Sequence, residues 1–279
     1  MTPMPRDSQH LAPVKDGRVP PSEREAAAAL SVRGLTVAYG EAPAVFDADA
    51  DFATGRRTAI IGPNGAGKSS LLKAALGLVP RVSGEIRFFG RTLEAVRQRV
   101  AYVPQRATVD WDFPARVQDV VAMGLYPELG LLRRLGADGR RRIVAALDQV
   151  GMAGFAERQI EQLSGGQAQR VFIARALVKH ADLFILDEPF AGVDMATEAL
   201  IMQVLADLAA AGKTVICVHH DLSTVAGAFD EVVLINRRVV AQGDVGTTLT
   251  SANLQSLYGG RLPEGLLRPR ATTSKLHAR

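Results

Sequence analysis

Short apolar segments recur along the chain from residue 31 onward, and turn residues separate most of them. Residues 31–39 and 45–52 are partly alternating in polarity and flank the turn-forming stretch 40–43. This pattern predicts two neighbouring strands of an antiparallel β-subdomain. We also predict strands at the apolar runs 57–61, 85–89, 100–103, 182–186, 214–218 and 232–235.

Longer segments with helical periodicity lie between these strands. They cover residues 69–76, 117–123, 140–150, 167–178 and 197–211. Strands that alternate with helices predict an α/β fold whose mainly parallel sheet is covered on both faces. We expect one domain over 30–260, built around a phosphate-loop core, with the antiparallel β-subdomain and a helical subdomain at about 106–166.

The two ends of the chain lack this periodicity. Residues 1–29 contain five prolines, many polar residues and an alanine run, which predicts a disordered tail. Residues 261–279 carry five basic side chains against one acidic side chain and form a second, basic tail. This tail accounts for the whole net charge of +4. It is either simply solvated or in contact with anionic lipid.

Composition narrows the class of protein. Because the body of the chain is net neutral, the charge does not support a basic nucleic-acid footprint, and we expect no nucleic-acid partner. No apolar run reaches the roughly 18 residues that span a bilayer, so a membrane role requires a partner. The single cysteine, Cys217, lies in the apolar run 214–218, which predicts a core residue and a reducing compartment.

A glycine-rich loop follows the strand predicted at 57–61 and precedes a helix, the order found in phosphate-binding loops. Its backbone N–H groups would converge on phosphate oxygens, Lys68 would reach the β- and γ-phosphates, and Ser69 would bind Mg²⁺. ATP and Mg²⁺ are the ligands expected here; the alternative is a glycine-rich turn without a ligand. The loop, with the adjoining Ser70, reads Gly62-Pro63-Asn64-Gly65-Ala66-Gly67-Lys68-Ser69-Ser70.

Two acids follow the apolar strand predicted at 182–186. Asp187 is placed to hold Mg²⁺, and Glu188 to accept a proton from an attacking water molecule. The carboxyl edge of a parallel sheet is where ligands bind in open α/β folds. Taken alone, the pair also fits a solvated strand end, but the phosphate loop upstream favours the catalytic interpretation.

A third motif, Leu163-Ser164-Gly165-Gly166-Gln167, stands immediately ahead of a predicted helix. A serine hydroxyl and glycine N–H groups at a helix N-terminus form either an anion site or a simple helix cap. The motif resembles the signature sequence of ABC ATPases. That resemblance implies a head-to-tail dimer in which ATP lies between the phosphate loop of one copy and Ser164, Gly165, Gly166 and Gln167 of the other.

Other positions match the same family in order. By resemblance, Tyr39 would stack on the adenine, Gln105 would sense Mg²⁺ and water, and His220 would contact the γ-phosphate. Alone, Tyr39 would fit a core residue and Gln105 a surface residue. The sequence His219-His220-Asp221 could suggest a metal site, but adjacent side chains on a strand point to opposite faces and chelate poorly.

Asp194 resembles the aspartate that communicates across the ABC dimer and is therefore included among the nucleotide-site residues. The segment around it departs from the commoner Ser-x-Leu-Asp form, since Ala191 and Val193 replace the serine and the leucine. Cross-dimer signalling is therefore expected to differ in detail.

The spacing of the motifs separates transporters from other ABC proteins. Only 96 residues separate Lys68 from Ser164, too few for the coiled coils or zinc modules of DNA-repair members. A single ATPase cassette also argues against the ribosomal members. These two observations favour a transporter subunit at the cytoplasmic face of the membrane. An ABC ATPase that acts in DNA repair or translation is the alternative.

Several segments resemble the ATPase subunits of bacterial manganese, zinc or iron importers. They are residues 110–114, 120–126, 190–194 and 218–225. The resemblance implies that separate permease subunits form the membrane part and that a separate protein binds the metal. Trp111 and Phe113 would lie on a loop that meets the permease, or would simply pack locally.

Overall fold

The structure is a computed structural model of the chain, and it describes residues 28–40, 42–105, 114–129 and 135–259. These residues form two β-sheets and a set of helices. The strands of the described residues are β1 (Ala28–Tyr39), β2 (Ala42–Ala53), β3 (Arg57–Ile61), β4 (Ser83–Phe88), β5 (Val100–Val103), β6 (Leu183–Leu186), β7 (Thr214–Val218), β8 (Glu231–Asn236) and β9 (Arg238–Asp244).

The larger sheet has six strands in the order β5-β6-β7-β3-β8-β9. The first five are parallel to their neighbours, and β9 pairs antiparallel with β8 at one edge. The predicted mainly parallel sheet is confirmed. Because β3, β6 and β7 are parallel, the loops that follow them meet at one edge of the sheet, where the predicted site residues lie.

The smaller sheet is antiparallel: β1 pairs with β2, as predicted for the β-subdomain, and on its other side with β4. Side chains alternate between the two faces of the large sheet. Leu183 and Ile185 join the core shared with the antiparallel sheet, whereas Phe184 and Leu186 face the helices. Cys217 is fully buried in the core between the large sheet and the helices, together with Phe184 and Leu186, which confirms it as a core residue.

Helices cover both faces of the large sheet. The described helices are α1 (Lys68–Ala75), α2 (Leu93–Val96), α3 (Val117–Ala122), α4 (Tyr126–Leu129), α5 (Ala137–Gln149), α6 (Gly165–Leu177), α7 (Met195–Ala210), α8 (Leu222–Ala228), α9 (Val245–Thr248) and α10 (Ser251–Leu257). Helices α3, α5 and α6 pack against one another and bury Val121, Leu147 and Val171. Among the described residues, no helix is long and apolar enough to span a bilayer.

The first strand begins earlier than the sequence indicated. Ala28 and Ala29 belong to the segment 1–29 that we predicted as a disordered tail, yet both are buried in β1. Ala28 pairs with Ala53, and the carbonyl of Ala29 accepts a hydrogen bond from the N–H of Phe89. Identical alanines in a row carry no alternation of apolar and polar positions, so the run gave no strand signal.

Arg237, in the turn between β8 and β9, bonds both to β2 and to the phosphate loop. The N–H of Arg237 donates to the carbonyl of Ala66 at 2.8 Å, and the carbonyl of Arg237 accepts from the N–H of Phe46 at 2.7 Å. Arg237 has a left-handed backbone conformation, with φ 59°. This turn between β8 and β9 therefore connects β2 to the phosphate loop through main-chain hydrogen bonds.

Candidate nucleotide-binding and catalytic site

The phosphate loop depends on two glycines that touch neighbouring main chain. A Cβ atom on Gly62 would lie 2.0 Å from the carbonyl oxygen of Ile235. One on Gly67 would lie 2.3 Å from the carbonyl oxygen of Ala44, and Gly67 also has a φ of 93°. Both positions therefore require glycine, and the loop leads directly into the N-terminus of α1, the kind of helix end at which phosphates bind.

Lys68, the first residue of α1, is almost fully buried. Its Nζ atom donates to the carbonyl oxygens of Gly62, at 2.8 Å, and Pro63, at 2.9 Å. Burial lowers the pKa of the Lys68 ammonium, and the nearby charges of Glu188 and Asp187 oppose this shift. The cation is thus held beneath the loop, in reach of any phosphate bound there.

A cleft of about 500 Å³ opens over the loop. It brings together Gln105, Glu188, half-exposed Tyr39 and most of the phosphate loop. The signature residues and Asp194 are not among its lining residues. The residues that line the cleft are Tyr39, Ala44, Asn64, Gly65, Ala66, Gly67, Lys68, Ser69, Ser70, Gln105 and Glu188.

Asp187 is completely buried at the end of β6. Its Oδ1 atom accepts a hydrogen bond of 2.6 Å from the Ser69 hydroxyl, and its Oδ2 atom lies 3.5 Å from the Tyr102 hydroxyl. Burial raises the pKa of Asp187, while the Ser69 hydrogen bond acts in the opposite direction. The hydroxyl and carboxylate oxygens form the kind of hard-oxygen pair that suits Mg²⁺.

Glu188 directs its carboxylate between two predicted site residues. The Gln105 amide donates to Oε2 at 2.7 Å, and His220 Nε2 lies 3.0 Å from Oε1. Glu188 is one of the non-glycine residues with positive φ, at 52°. Such conformations cost on the order of 1 kcal/mol and often occur at functional sites. Gln105 and His220, which follow two different strands, therefore both contact the carboxylate of Glu188 at the end of a third strand.

The signature motif lies at the start of α6. The Ser164 hydroxyl accepts from the N–H of Gln167, and the Gln167 side chain accepts from the N–H of Ser164, forming a capping box. Ser164 itself is exposed. Gly166 packs closely against Thr197. A Cβ atom added at Gly166 would lie 3.2 Å from the hydroxyl oxygen of that threonine. The motif therefore caps α6, and its role as an anion site stays a prediction.

Asp194 occupies a different environment from the cleft. Its carboxylate caps α7 by accepting from the N–H of Thr197 at 2.7 Å, and this hydrogen bond is the main cause of its lowered pKa. The role that resemblance assigns to Asp194, communication across a dimer, stays a prediction. Trp111 and Phe113 lie outside the described residues.

Two contacts were not foreseen from the sequence. Tyr102 was treated as part of an apolar strand, although its hydroxyl faces Asp187. His219 was considered only as one of two adjacent histidines, yet it is buried between aromatic rings. The alternation argument could have placed both residues on specific faces, because each lies at or next to the end of a predicted strand.

The mainly parallel sheet carries a phosphate loop, a buried acid suited to Mg²⁺ and a second acid at the cleft. A separate helix begins at the signature motif. Together these features define an ATPase of the ATP-binding-cassette class. The model of the ABC transporter family matches residues 45–191. The chain therefore belongs to the ABC transporter family, as one of its ATP-binding, ATP-hydrolysing subunits.

Characterised relatives match most of the chain. The zinc transport system ATP-binding protein TroB of Treponema pallidum is 53% identical over 89% of this chain and 93% of its own length. The manganese transport system ATP-binding protein MntB of Bacillus subtilis is 52% identical over 84% and 93%, respectively. These relatives are transport proteins, so the alternative of DNA repair or translation is not favoured.

A solved structure agrees with this grouping. A protein described as a metal-chelate type ABC transporter, seen in an inward-facing conformation, superposes with a TM-score of 0.73. It is 30% identical, over 84% of this chain and 89% of that chain. The phosphate-loop fold predicted from the sequence is thereby confirmed.

Proposed function

We propose that this chain powers the import of zinc or manganese from the cytoplasmic face of the membrane, as a pair of copies beneath separate permease subunits. The observation that carries the proposal is the cleft that joins the phosphate loop, Gln105 and Glu188, in a chain that resembles zinc and manganese transport ATPases over most of its length. Iron is expected only from the sequence resemblance. The metal itself would be bound by the permease and by a separate metal-binding protein.

The side chains around the cleft suggest how hydrolysis proceeds. The N–H groups of the phosphate loop and Lys68 bind the phosphates, and Tyr39, which lines the same cleft, would stack on the base. Ser69 and Asp187 would hold Mg²⁺, which neutralises negative charge on the phosphate oxygens when bound. The oxygens present fit such an ion, since hydroxyl and carboxylate ligands are those that Mg²⁺ prefers.

Glu188 is the proposed general base. It accepts a proton from the attacking water at a carboxylate oxygen, and Gln105 and His220 hold that carboxylate in the cleft. His220 then contacts the γ-phosphate from the adjacent strand end. The arrangement needs only small side-chain rotations, because all three residues already meet at the same edge of the sheet.

The proposed dimer follows from the position of the signature motif. Ser164 is exposed and is not among the residues that line its own cleft. An anion-binding helix N-terminus facing solvent can reach a γ-phosphate held by a second copy. ATP would then be part of the interface and would stabilise the pair by mass action.

We expect the Glu188→Gln chain to dimerise with ATP, because the substrate is retained, and Ser164→Asp to abolish that dimer. Aspartate keeps the helix cap but places a negative charge against the γ-phosphate. Light scattering after gel filtration measures the oligomeric state of each variant. Thr250→Asp is the matched control, since Thr250 also caps a helix, through the N–H of Asn253. A dimer that survives Ser164→Asp would contradict the ATP-sandwich arrangement.

We expect cells that lack this chain to accumulate less zinc or manganese when the metal is scarce. The wild-type gene should restore accumulation, whereas the Glu188→Gln gene should not, because transport needs repeated hydrolysis. Elemental analysis of zinc, manganese and iron in the three strains measures this. Unchanged levels of all three metals would overturn the importer proposal and leave the ATPase assignment intact.

A further inference from the structure

His219 lies immediately before His220 in the loop between β7 and α8, yet the two side chains have different surroundings. His219 is buried, and its ring centroid lies 4.8 Å from that of Phe190 and 5.8 Å from that of Phe229. Its Nε2 atom is hydrogen-bonded to the Thr224 hydroxyl. The side chain of His220, in contrast, is 43% exposed and faces Glu188.

The hydrogen-bond pattern assigns the tautomer of His219. Burial lowers its pKa to about 4, so the ring is neutral near pH 7. A neutral imidazole has one donor and one acceptor nitrogen. The Thr224 hydroxyl donates its single hydrogen to the carbonyl of Asp221, at 3.0 Å. Nε2 of His219 must therefore carry the proton and donate to the Thr224 oxygen.

These contacts join three segments that surround the catalytic carboxylate. Phe190 comes two residues after Glu188, Thr224 lies in α8, and the N–H of His219 donates to the carbonyl of Ile60 in β3 at 3.1 Å. A rotation of the His219 ring would therefore displace the loop that carries His220 and the segment that follows Glu188. The ring is too enclosed to rotate without moving its neighbours.

We propose that His219 is a positioning residue for ATP hydrolysis: its donated hydrogen bond to Thr224 and its packing between Phe190 and Phe229 hold His220 against Glu188. This inference rests on the proposed roles of His220 and Glu188. It assigns a function to a residue that does not line the cleft. Because His219 acts on the geometry of hydrolysis and not on the phosphate loop, its loss should affect turnover more than nucleotide binding.

The hydrogen bond and the ring packing can be tested separately in the full-length chain. His219→Phe keeps an aromatic ring and removes the donor; His219→Gln restores a donor near the position of Nε2. We expect His219→Phe to lower kcat by at least about tenfold with ATP affinity changed less than about twofold, and His219→Gln, which has a donor but no ring, to recover part of that loss. Thr224→Val should lower kcat similarly, and the double variant His219→Phe/Thr224→Val should be no slower than the slower single variant.

Two controls separate positioning from stability and from the proposed function. Ile201 is fully buried in the same hydrophobic core as Phe229. Ile201→Val should lower the melting temperature and leave kcat unchanged. If His219→Phe has wild-type kcat, or loses ATP affinity in proportion to kcat, the positioning role is wrong. His220→Ala is measured in parallel: a slow His220→Ala beside a normal His219→Phe refutes this inference alone, whereas a normal His220→Ala refutes the proposed role of His220 and, with it, this inference.

Discussion

Glu188→Gln is expected to slow ATP turnover by about 10²–10⁴ while leaving ATP binding close to that of the wild type. Glutamine matches glutamate in size and preserves a hydrogen-bonding group beside Gln105 and His220, but it cannot accept a proton from water. The phosphate loop and the Ser69–Asp187 pair are untouched. Release of inorganic phosphate, measured beside the equilibrium binding of a fluorescent ATP analogue, separates the two quantities.

A matched control for this substitution is Glu161→Gln, which makes the same chemical change at an exposed residue outside the cleft. It should leave both turnover and binding unchanged. If Glu188→Gln hydrolyses ATP within about twofold of the wild-type rate, Glu188 is not the base. Another group, or phosphate-assisted deprotonation of water, would then have to supply the step.

Lys68→Ala is expected to weaken ATP binding by roughly 10- to 100-fold, because a charge-assisted hydrogen bond is worth about 1.5–3 kcal/mol. The ammonium that now bonds to the carbonyls of Gly62 and Pro63 belongs to the phosphate loop itself and is almost fully buried. Alanine removes that charge without blocking the cleft. Calorimetric titration with ATP in the presence of Mg²⁺ measures the change.

Lys179→Ala provides a close comparison. Lys179 also donates to two main-chain carbonyls, those of Arg97 and Val100, and burial also lowers its pKa. It lies outside the residues that line the cleft. We expect Lys179→Ala to lose stability while keeping ATP affinity. Equal affinity in Lys68→Ala and the wild type would contradict the role of Lys68 in phosphate binding.

Much of the core could be predicted because local patterns determine it. The strand–loop–helix order around Lys68 and the acidic pair after an apolar strand each depend on a few consecutive residues, and the strands Arg57–Ile61, Val100–Val103 and Thr214–Val218 were predicted with their observed bounds. The order of strands in the sheet could not be read from the chain, because hydrophobic periodicity carries no information about which strands become neighbours.

The misses have physical causes of their own. Strand β9 (Arg238–Asp244) was not predicted, because its apolar part is limited to residues 239–241 and is followed by Gln242, Gly243 and Asp244, which are uncommon in strand interiors. The buried position of His219 depends on Phe190 and Phe229, which are distant in sequence. The sequence alone predicts that the side chains of the two adjacent histidines point in different directions. It does not predict which residues each side chain contacts.

Asp194 illustrates how resemblance and local geometry supply different information. Resemblance assigned it to signalling between two copies, whereas the structure shows the main-chain N–H of Thr197 bound to its carboxylate. The two roles are compatible, since a cap at the start of α7 also fixes the direction in which the preceding loop leaves the helix. The signalling role stays a prediction, because it concerns a second copy of the chain.

The turn at Arg237 links two parts of the nucleotide cleft. Tyr39 belongs to the antiparallel sheet, whose strand β2 is joined through Arg237 to the main chain of Ala66 in the phosphate loop. The aromatic residue and the phosphate loop, which both line the cleft, are therefore connected through backbone hydrogen bonds. A displacement of the antiparallel sheet that keeps these bonds would move Tyr39 and the phosphate loop in the same direction.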